Sequence, residues 1–387
     1  MPKPNKRIGI LGGGQLALML AESYVDSDVT FLSADQEGSC AFAIAKSFTN
    51  DLSIKRNLDE FSQLSDVVTF DSEHLGVEFA ADILSNGINV YPDYKFVRLS
   101  GDRFEEKSEL NRLGIKTAPF IKIDEKLDRN AIHKVLTDLL ETQELSEFGI
   151  VIKTRHGGYD GKGQWVLKDG SDTSKLHAIS NELSELVSEP GLIIEGLVNF
   201  DFECSIIATR SIKGDIVTWP LIHNIHKDSI LDISRSPINN ELISESDEKT
   251  AKEYVSQICE EHNYVGTICV ELFHTKSGLI VNEIAPRVHN SGHLTIEGSK
   301  TSQFRNHINA IRGENLESTE LIGHCAMINI VGFKISEKTQ SLIDSIEGIY
   351  FHWYNKDVRP KRKVGHITIV SNTDLELEDT IRQIRES

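Results

Sequence analysis

A glycine-rich turn separates two apolar runs in the segment IVIKTRHGGYDGKGQWVL, residues 150–167. Two such runs joined by a short glycine turn predict a β-hairpin. The turn holds four glycines, which are Gly157, Gly158, Gly161 and Gly163. It can be a plain reversal of the chain, or a bare backbone that approaches a phosphate. Lys153 precedes the turn on the first run and favours the second interpretation, because a cationic side chain there can reach a phosphate.

The first part of the chain alternates short apolar runs with helix-like segments. The runs are RIGIL, VTFLSA, DVVTF and INVYP, all within residues 1–95. Strands that alternate with helices are typical of a parallel, doubly wound α/β sheet. After this part, the charged amphipathic residues 98–113 predict one helix that ends at Gly114.

From residue 115 to about residue 300 the apolar runs follow one another with few helices between them. GLIIEGLV, FECSIIATR and IVTWPLIHNIH predict strands with mostly antiparallel pairing, and DEKTAKEYVSQICEEHNY predicts a helix. GTICVELFHTKSGLIVNEIA predicts two strands joined by a Ser-Gly turn. The end of the chain is again β-rich, in HCAMINIVGF, GIYFHWYN and VGHITIVS, and closes with a helix. These parts have an α+β character.

Composition excludes several classes of protein. The net charge of −18 argues against a nucleic-acid partner, because phosphate backbones select basic surfaces. No apolar run reaches the roughly 18 residues of a membrane span, and the apolar run of the N-terminus stops too early for an export signal. Five widely spaced cysteines without a CxxC motif predict reduced thiols in the cytoplasm and no zinc site.

The first glycine turn, in GILGGGQLA, follows a strand and matches G-x-G-x-x-A. Such a turn allows close approach to a phosphate at a helix N-terminus. Asp35, at the end of the second strand, could then bind the ribose of a nicotinamide cofactor. The alternative is a tight strand-to-helix turn without a cofactor.

Two carboxylates lie on neighbouring predicted strands, Glu271 in CVELF and Glu283 in IVNEIAPR. A carboxylate within an apolar run is costly unless it is paired or coordinates a cation. Two of them, one hairpin apart, are hard oxygen ligands suited to a Mg²⁺ ion that bridges nucleotide phosphates. Asn282 and Arg287 beside them strengthen this interpretation over two solvent-facing strand residues.

Six segments, in order along the chain, resemble the ATP-grasp superfamily, in which an antiparallel domain closes a glycine-rich hairpin over ATP. They are ILGGGQL (10–16), GDR with Lys107 following, IVIKTRHGGYDGKGQW (150–165), PLIHNIHKDSIL (220–231), VNEIAPRVHNSGH (281–293) and HWYNKDVRPKRKVGH (352–366). APRVHNSGH and RKVGH narrow the resemblance to the 5-carboxyaminoimidazole ribonucleotide synthases of purine biosynthesis. The chain departs from that family at Ala17 and Leu18, where GQLGRM is usual, and around Glu73, where FDSEHL replaces EFEN.

The resemblance implies an ATP-grasp fold in three parts. Residues 1–97 would form the N-terminal doubly wound (pre-ATP-grasp) domain. Residues 98–315 would form the ATP-grasp domain, with a lid subdomain over about 118–198. Residues 316–387 would form a small β-rich C-terminal domain.

The resemblance further implies an ATP-dependent carbon–nitrogen ligase that uses bicarbonate, through carboxyphosphate, to carboxylate the amine of aminoimidazole ribonucleotide. The implied ligands of Mg²⁺ are Glu271 and Glu283. The implied catalytic residues are Lys153, Tyr159, Asp160 and Arg287. The implied ATP contacts are Arg103, Lys153, Gly158, Tyr159, Asp160, Gly161, Lys162, Gly163, Gln164, Glu195, Gly196, Leu197, Val198, Glu203, His226, Asn282 and Glu283.

A separate set is implied for the ribonucleotide, whose 5′-phosphate needs a cationic pocket in this acidic chain. It consists of Gln15, Leu16, Glu73, Asn290, Lys356, Arg362 and Lys363. A cytoplasmic homodimer and a downstream mutase that takes the product are also implied. Two alternatives stay open at this point: a formate-activating ligase that acts on glycinamide ribonucleotide, and a nucleotide-sensing module without catalysis.

Overall fold

The computed structural model describes residues 6–25, 27–124, 127–157, 163–168, 170, 172–186, 191–239 and 241–387. Within these ranges no helix is long and apolar enough to cross a bilayer. All five cysteines are buried free thiols.

The N-terminal part is a parallel five-stranded sheet with the strand order β3-β2-β1-β4-β5, as the alternating pattern predicted. Its strands are β1 Arg7–Leu11, β2 Thr30–Ala34, β3 Lys46–Phe48, β4 Val67–Phe70 and β5 Asn89–Val90. Its helices are α1 Gln15–Glu22, α2 Lys55–Gln63 and α3 Glu73–Ser85, with a 3₁₀ turn at Cys40–Ala43. Sequence reasoning missed β3, because it is short and exposes Lys46 and Ser47 at the edge of the sheet.

The single helix predicted for residues 98–113 is wrong. The structure has two helices, α4 Tyr94–Ser100 and α5 Arg103–Arg112. Asp102 interrupts them, since its carboxylate accepts a hydrogen bond from the Phe104 amide at 3.0 Å and caps α5. An N-cap residue has extended backbone, so a helix cannot continue through it.

A four-stranded antiparallel sheet follows, with the strand order β6-β9-β7-β8. Its strands are β6 Phe120–Ile123, β7 Ile150–Thr154, β8 Gln164–Leu167 and β9 Leu192–Gly196, covered by α6 Arg129–Thr142 and α7 Thr173–Leu186. The hairpin prediction for the glycine-rich segment is confirmed, because β7 pairs with β8 and Lys153 lies opposite Gln164. The tip of that hairpin, residues 158–162, lies outside the described residues.

The remaining strands form one nine-stranded sheet with the order β15-β14-β10-β12-β13-β16-β18-β17, with β11 paired to β10. The strands are β10 Phe202–Arg210, β11 Ile216–Thr218, β12 Ile222–Lys227, β13 Ile230–Ser236, β14 Gly266–Thr275, β15 Gly278–Ala285, β16 His324–Val331, β17 Ile349–Trp353 and β18 Lys363–Ser371. The helices are α8 Glu245–Glu261, α9 Thr295–Gly298, α10 Gln303–Arg312, α11 Glu337–Ser345 and α12 Asp374–Glu386, with a 3₁₀ turn at Asn290–Leu294. The mixture of one parallel and two antiparallel sheets confirms the predicted α/β and α+β character.

The C-terminal strands continue the sheet of the middle part. β13 pairs with β16 in an antiparallel register that places Ile233 opposite Ile328. These hydrogen bonds cross the predicted boundary between residues 315 and 316. The division of the chain into three domains therefore stays a prediction.

Local sequence explains why α8 lies where it does. Ser244 and Asp247 form a capping box, in which each side chain satisfies a backbone amide at the start of the helix. Ala251, Val255 and Ile258 recur at helical spacing and are buried against the sheet. The helix thus supports the back of the strands that carry the two predicted metal ligands.

Candidate active site

Glu271 on β14 and Glu283 on β15 lie directly opposite each other in the antiparallel register, which brings the two predicted metal ligands together. Residues opposite each other in such a pair project from the same face of the sheet. A register shift follows Glu271. The Glu271 side chain keeps 20% of its surface exposed, so the pair does not lie wholly in the core.

His289 is a residue that sequence reasoning quoted within a motif but did not single out. Its Nε2 atom lies 3.0 Å from Oε1 of Glu271. Burial lowers the pKa of His289, but the neighbouring Cys269 and Glu271 outweigh burial and raise the pKa above its usual range. Burial likewise raises the pKa of Glu271, but the His289 hydrogen bond and charge outweigh it and lower the pKa to about 2. The two side chains thus favour each other's charged forms.

The donor atoms at this place fit a Mg²⁺ ion. Two carboxylates face each other, and the buried Oδ1 atom of Asn282 has no hydrogen-bond partner among the described residues. Burial and the charge of Glu271 raise the pKa of Glu283, as expected for two like charges close together. Among the described residues no three His, Cys, Asp or Glu side chains form a closed metal cage. A bound ion would need further oxygen ligands, which nucleotide phosphates and water supply.

A chain of buried charges leads from this pair into the lid sheet. Lys153 Nζ lies 3.1 Å from Glu195 Oε2, and Lys107 Nζ lies 3.4 Å from the same oxygen atom. Glu106, next to Lys107, is also buried and accepts a hydrogen bond from the Ile284 amide at 3.1 Å. Burial raises the pKa of Glu106 to about 8. Nothing in FEEKSEL indicated that these two helix residues are buried, because charged helix positions usually face solvent.

Arg103 lies where the glycine-rich hairpin leaves the sheet. Its Nη1 atom donates to the carbonyl oxygens of Thr154 at 3.0 Å and Gly157 at 2.6 Å. On the other side of the hairpin, Gly163 has a left-handed backbone with φ of +67°. Gly158, Tyr159, Asp160, Gly161 and Lys162 lie outside the described residues.

Two residues that are predicted to contact the nucleotide lie side by side on β12 and β10. His226 Nδ1 on β12 lies 2.5 Å from Glu203 Oε2 on β10. Burial lowers the pKa of His226, but the Glu203 hydrogen bond outweighs it and raises the pKa. Both side chains are partly exposed, which keeps them accessible to a ligand.

Two backbone amides after Glu195 already have hydrogen-bond acceptors within the protein. The Gly196 amide donates to the Pro119 carbonyl and the Leu197 amide donates to the Gly149 carbonyl, each at 2.9 Å. These bonds tie β9 to its neighbours and leave the Val198 peptide as the candidate for contacts with a base.

After β15, residues of the large sheet contact the N-terminal part. Arg287, after β15, places Nε 2.7 Å from Glu73 Oε1 at the start of α3. The predicted bicarbonate residue thus contacts a predicted ribonucleotide residue. Asn290 exchanges two side-chain hydrogen bonds with Asn329 of β16, at 3.1 and 2.8 Å.

The basic run between β17 and β18 contacts the start of α1. Lys356 donates to Oε1 of Gln15, which begins α1. Arg362 Nη1 donates to the Asp357 carbonyl at 3.2 Å. The charge of Lys363 lowers the pKa values of Glu271 and Lys356, although burial is the larger effect in each and acts upward on Glu271 and downward on Lys356. Lys363 is therefore near Glu271, one of the two predicted metal ligands.

Three of the residues near the first glycine turn are buried. Leu16 and the departures Ala17 and Leu18 all pack in the core of the N-terminal part. Only the backbone of Leu16 can therefore meet a ligand. The Ala17 and Leu18 substitutions are accommodated as core residues of α1.

The first glycine turn encloses a carboxylate. The Gly14 amide donates to Asp71 Oδ2 at 2.6 Å, and a Cβ atom on Gly12 would lie 1.8 Å from Asp71 Oδ1. The turn contains glycine because Asp71 occupies the space of a side chain. A negative group in this position disfavours a phosphate, so the structure favours the tight-turn interpretation over a dinucleotide site. The ends of β1 and β4 are adjacent in a parallel sheet, a signal that could have identified Asp71.

Asp71 predicts a pH dependence of stability. Burial raises the pKa of Asp71 to about 6 in the folded state, against about 3.9 in an unfolded chain. The native state binds this proton more tightly, so the stabilisation is complete below pH ~4 and is lost as pH rises to ~6. We expect Asp71→Asn to increase the free energy of unfolding at pH 8 by about 1–3 kcal/mol, and to have little effect near pH 4. Denaturant unfolding at several pH values measures this difference.

The exposed Asp82 on α3 provides the control, and Asp82→Asn should leave the pH profile of unfolding unchanged. Parallel pH profiles for Asp71→Asn and the parent would contradict the prediction.

Comparisons with known proteins show the family of the chain. Three family profiles match: "Ribonucleotide synthetase preATP-grasp domain" over residues 5–100, "ATP-grasp domain" over 108–304, and "Phosphoribosylaminoimidazole carboxylase C-terminal domain" over 325–380. The N5-carboxyaminoimidazole ribonucleotide synthase of Pseudomonas aeruginosa is 35% identical over 364 residues, which is 94% of each chain. The chain belongs to the N5-carboxyaminoimidazole ribonucleotide synthase family. It is therefore an ATP-dependent ligase with an ATP-grasp fold, as the sequence predicted.

Solved structures of this synthase family superpose over nearly the whole chain. The enzyme from Thermus thermophilus is 34% identical, covers 98% of each chain and gives a TM-score of 0.85. The enzyme from Aspergillus clavatus, in complex with ADP and 5-aminoimidazole ribonucleotide, is 25% identical, covers 99% of this chain and 98% of its own, and gives a TM-score of 0.84. The predicted arrangement of three parts in the order pre-ATP-grasp, ATP-grasp and C-terminal is that of the family.

Proposed function

We propose that this chain carboxylates the exocyclic amine of 5-aminoimidazole ribonucleotide to give 5-carboxyaminoimidazole ribonucleotide, in purine biosynthesis. A bicarbonate oxygen attacks the γ-phosphorus of ATP, and ADP leaves. The amine nitrogen then takes the carboxyl group of carboxyphosphate, loses a proton and releases phosphate. The observation that supports this most directly is the opposed pair Glu271 and Glu283, in a chain of the synthase family.

The nucleotide lies between the lid sheet and the large sheet in this proposal. Glu195 and the Val198 peptide meet the adenine, and Glu203 with His226 meets the ribose hydroxyls. Lys153 and Arg103 neutralise the phosphates, which is where phosphoryl transfer needs positive charge. The glycine-rich hairpin covers the phosphates and excludes water from a labile acyl phosphate.

The metal site follows from the same geometry. Glu271 and Glu283 would hold Mg²⁺, which when bound spreads and neutralises the charge of the transferred phosphoryl group. Arg287 holds bicarbonate and then carboxyphosphate beside these carboxylates, with its guanidinium oriented by Glu73. That ion pair connects the carboxyl donor to the part of the cleft assigned to the ribonucleotide.

The ribonucleotide occupies the opposite side of the cleft. Its 5′-phosphate binds Lys356, Arg362 and Lys363, because the first glycine turn already holds the carboxylate of Asp71. The rest of the site consists of Gln15, the Leu16 backbone, Glu73 and Asn290. Tyr159 and Asp160, outside the described residues, orient the amine.

The resemblance to the synthase family also supports proposals about the location, oligomeric state and partners of the enzyme. We infer that the chain is a cytoplasmic homodimer, and that a mutase consumes its unstable product. Its partners are otherwise small molecules: ATP, bicarbonate and the ribonucleotide.

The function is tested by omitting one substrate at a time. ADP release should require both bicarbonate and aminoimidazole ribonucleotide for full rate, and labelled bicarbonate should appear in the product. Turnover with formate and glycinamide ribonucleotide instead would establish the sister ligase. ATP binding without ADP release under any of these conditions would establish a nucleotide-sensing module.

Arg362→Ala should raise the KM for aminoimidazole ribonucleotide while the KM for ATP changes little. A guanidinium grips two oxygens of a phosphate dianion, and loss of one charge-assisted hydrogen bond weakens binding roughly ten- to hundredfold. Steady-state kinetics with each substrate varied in turn measure the two constants. Arg359→Ala, also in the basic run but exposed and paired with Asp357, is the control and should change neither constant. A rise in the KM for ATP would place Arg362 in the nucleotide pocket.

A further inference from the structure

Lys107 is a second cation at Glu195, and it is more deeply buried than Lys153. The Lys107 side chain is 1% exposed, whereas that of Lys153 is 9% exposed. Lys107 Nζ donates to the Asn282 carbonyl oxygen at 2.8 Å and lies 3.4 Å from Glu195 Oε2. One ammonium group thus connects the proposed adenine-binding residue with the strand that carries Glu283.

Two ammonium groups share one carboxylate oxygen in this cluster. Lys153 Nζ lies 3.1 Å from the same Oε2 atom of Glu195. Burial raises the pKa of Glu195, but the charges of Lys107 and Lys153 outweigh burial and lower it. Burial and the charge of Lys153 lower the pKa of Lys107, while Glu195 raises it. With both lysines charged, the three side chains carry one excess positive charge, and a phosphate is the kind of group that it attracts.

Phosphate binding requires Lys153 to change partner. The proposed function assigns Lys153 to the ATP phosphates, yet in the structure its ammonium group is paired with Glu195. If Lys153 turned to a phosphate and nothing else neutralised Glu195, a buried carboxylate would lose its counter-charge, which is strongly unfavourable.

We propose that Lys107 is a positioning residue, which stays with Glu195 and neutralises it while Lys153 leaves Glu195 for the phosphates of the nucleotide. This inference rests on the proposed role of Lys153. The bond from Lys107 to Asn282 holds the ammonium group in place during the exchange, because that acceptor is backbone of β15. Glu195 Oε1 is buried and has no hydrogen-bond partner among the described residues, so this oxygen is available to a donor on the ligand.

The test compares ADP with adenosine, which lacks the phosphates that Lys153 would bind. Calorimetric titration gives the Kd of each ligand for the parent, Lys107→Met, Glu195→Gln and the double variant. We expect Lys107→Met to raise the Kd for ADP roughly ten- to hundredfold and the Kd for adenosine by less than about twofold. In the Glu195→Gln background the same substitution should change ADP affinity by less than about twofold, because an amide needs no counter-charge. The exposed Lys116 is the control, and Lys116→Met should change neither Kd.

Two results would overturn the inference. Equal weakening of ADP and adenosine means that Lys107 only shapes the pocket. Equal loss of ADP affinity in both backgrounds means that Lys107 acts independently of Glu195. If thermal unfolding shows that Lys107→Met alone is not folded, the ADP affinity of the double variant is compared with that of Glu195→Gln. Equal ADP affinity of those two supports the inference, and weaker binding by the double variant contradicts it.

Lys153→Met separates this inference from the proposed function. If Lys153→Met leaves ADP affinity unchanged, the assignment of Lys153 to the phosphates is wrong and the inference fails with it. If Lys153→Met weakens ADP and Lys107→Met does not, only the inference about Lys107 is wrong.

Discussion

Glu283→Gln should lower the rate of ADP formation by about a thousandfold or more. The substitution removes a carboxylate ligand from a phosphoryl-transfer site, and several kcal/mol of transition-state stabilisation correspond to that factor. The fold should be retained. Burial and the like charge of Glu271 raise the pKa of Glu283, so a neutral amide relieves repulsion and the melting temperature should not fall. Steady-state ADP release and thermal unfolding measure the two effects.

Glu253→Gln is the matched control, since Glu253 is a solvent-exposed residue of α8, behind the same sheet. It should leave turnover unchanged. Near-parental turnover of Glu283→Gln at ordinary magnesium concentrations would contradict the metal assignment. A large fall in melting temperature would show that Glu283 has a structural role instead.

Arg287→Met should lower the bicarbonate-dependent formation of product by about a hundred- to thousandfold, with ADP affinity unchanged. Arg287 is proposed to stabilise charge on bicarbonate and carboxyphosphate, and loss of one such donor has effects of this size. Product formation from labelled bicarbonate and calorimetric titration with ADP measure the two quantities.

The Arg287 side chain also neutralises Glu73, so its loss leaves a carboxylate without its partner. The double variant Arg287→Met with Glu73→Gln removes both charges and should remain as slow as Arg287→Met. Recovery of activity in the double variant would show that the defect came from Glu73 alone. The exposed Arg382 on α12 is the control, and Arg382→Met should change neither product formation nor ADP affinity.

Sequence reasoning succeeded where local patterns decide the structure. The opposition of Glu271 and Glu283 follows from one hairpin, whose short turn places them on neighbouring strands. The parallel N-terminal sheet follows from alternating strand and helix patterns. Family motifs supplied Glu203 and His226 as nucleotide residues, which patterns could not, and the structure brings the two together from separate strands.

The features that sequence reasoning missed, such as the burial of charged residues, depend on tertiary contacts. Glu106 and Lys107 lie in a charged helix that has the composition of a solvated one, and only its packing against β15 buries them. The break between α4 and α5 depends on whether Asp102 caps a new helix or faces solvent within a longer one. The sequence is compatible with both. Asp71 is different, because it directly follows the predicted strand DVVTF, whose end lies beside that of β1 in the structure.

The ladder between β13 and β16 constrains how this chain could have evolved. An independent C-terminal module could be lost or exchanged without damage to its neighbour. Here, removal of the C-terminal strands would leave β13 without hydrogen-bonding partners along one edge and would expose Ile233. An exposed strand edge can pair with other chains and cause aggregation. The C-terminal segment that contains Lys356, Arg362 and Lys363 therefore also continues the sheet that carries Glu271 and Glu283. A lineage that no longer needed this ribonucleotide would still have to keep some form of these strands.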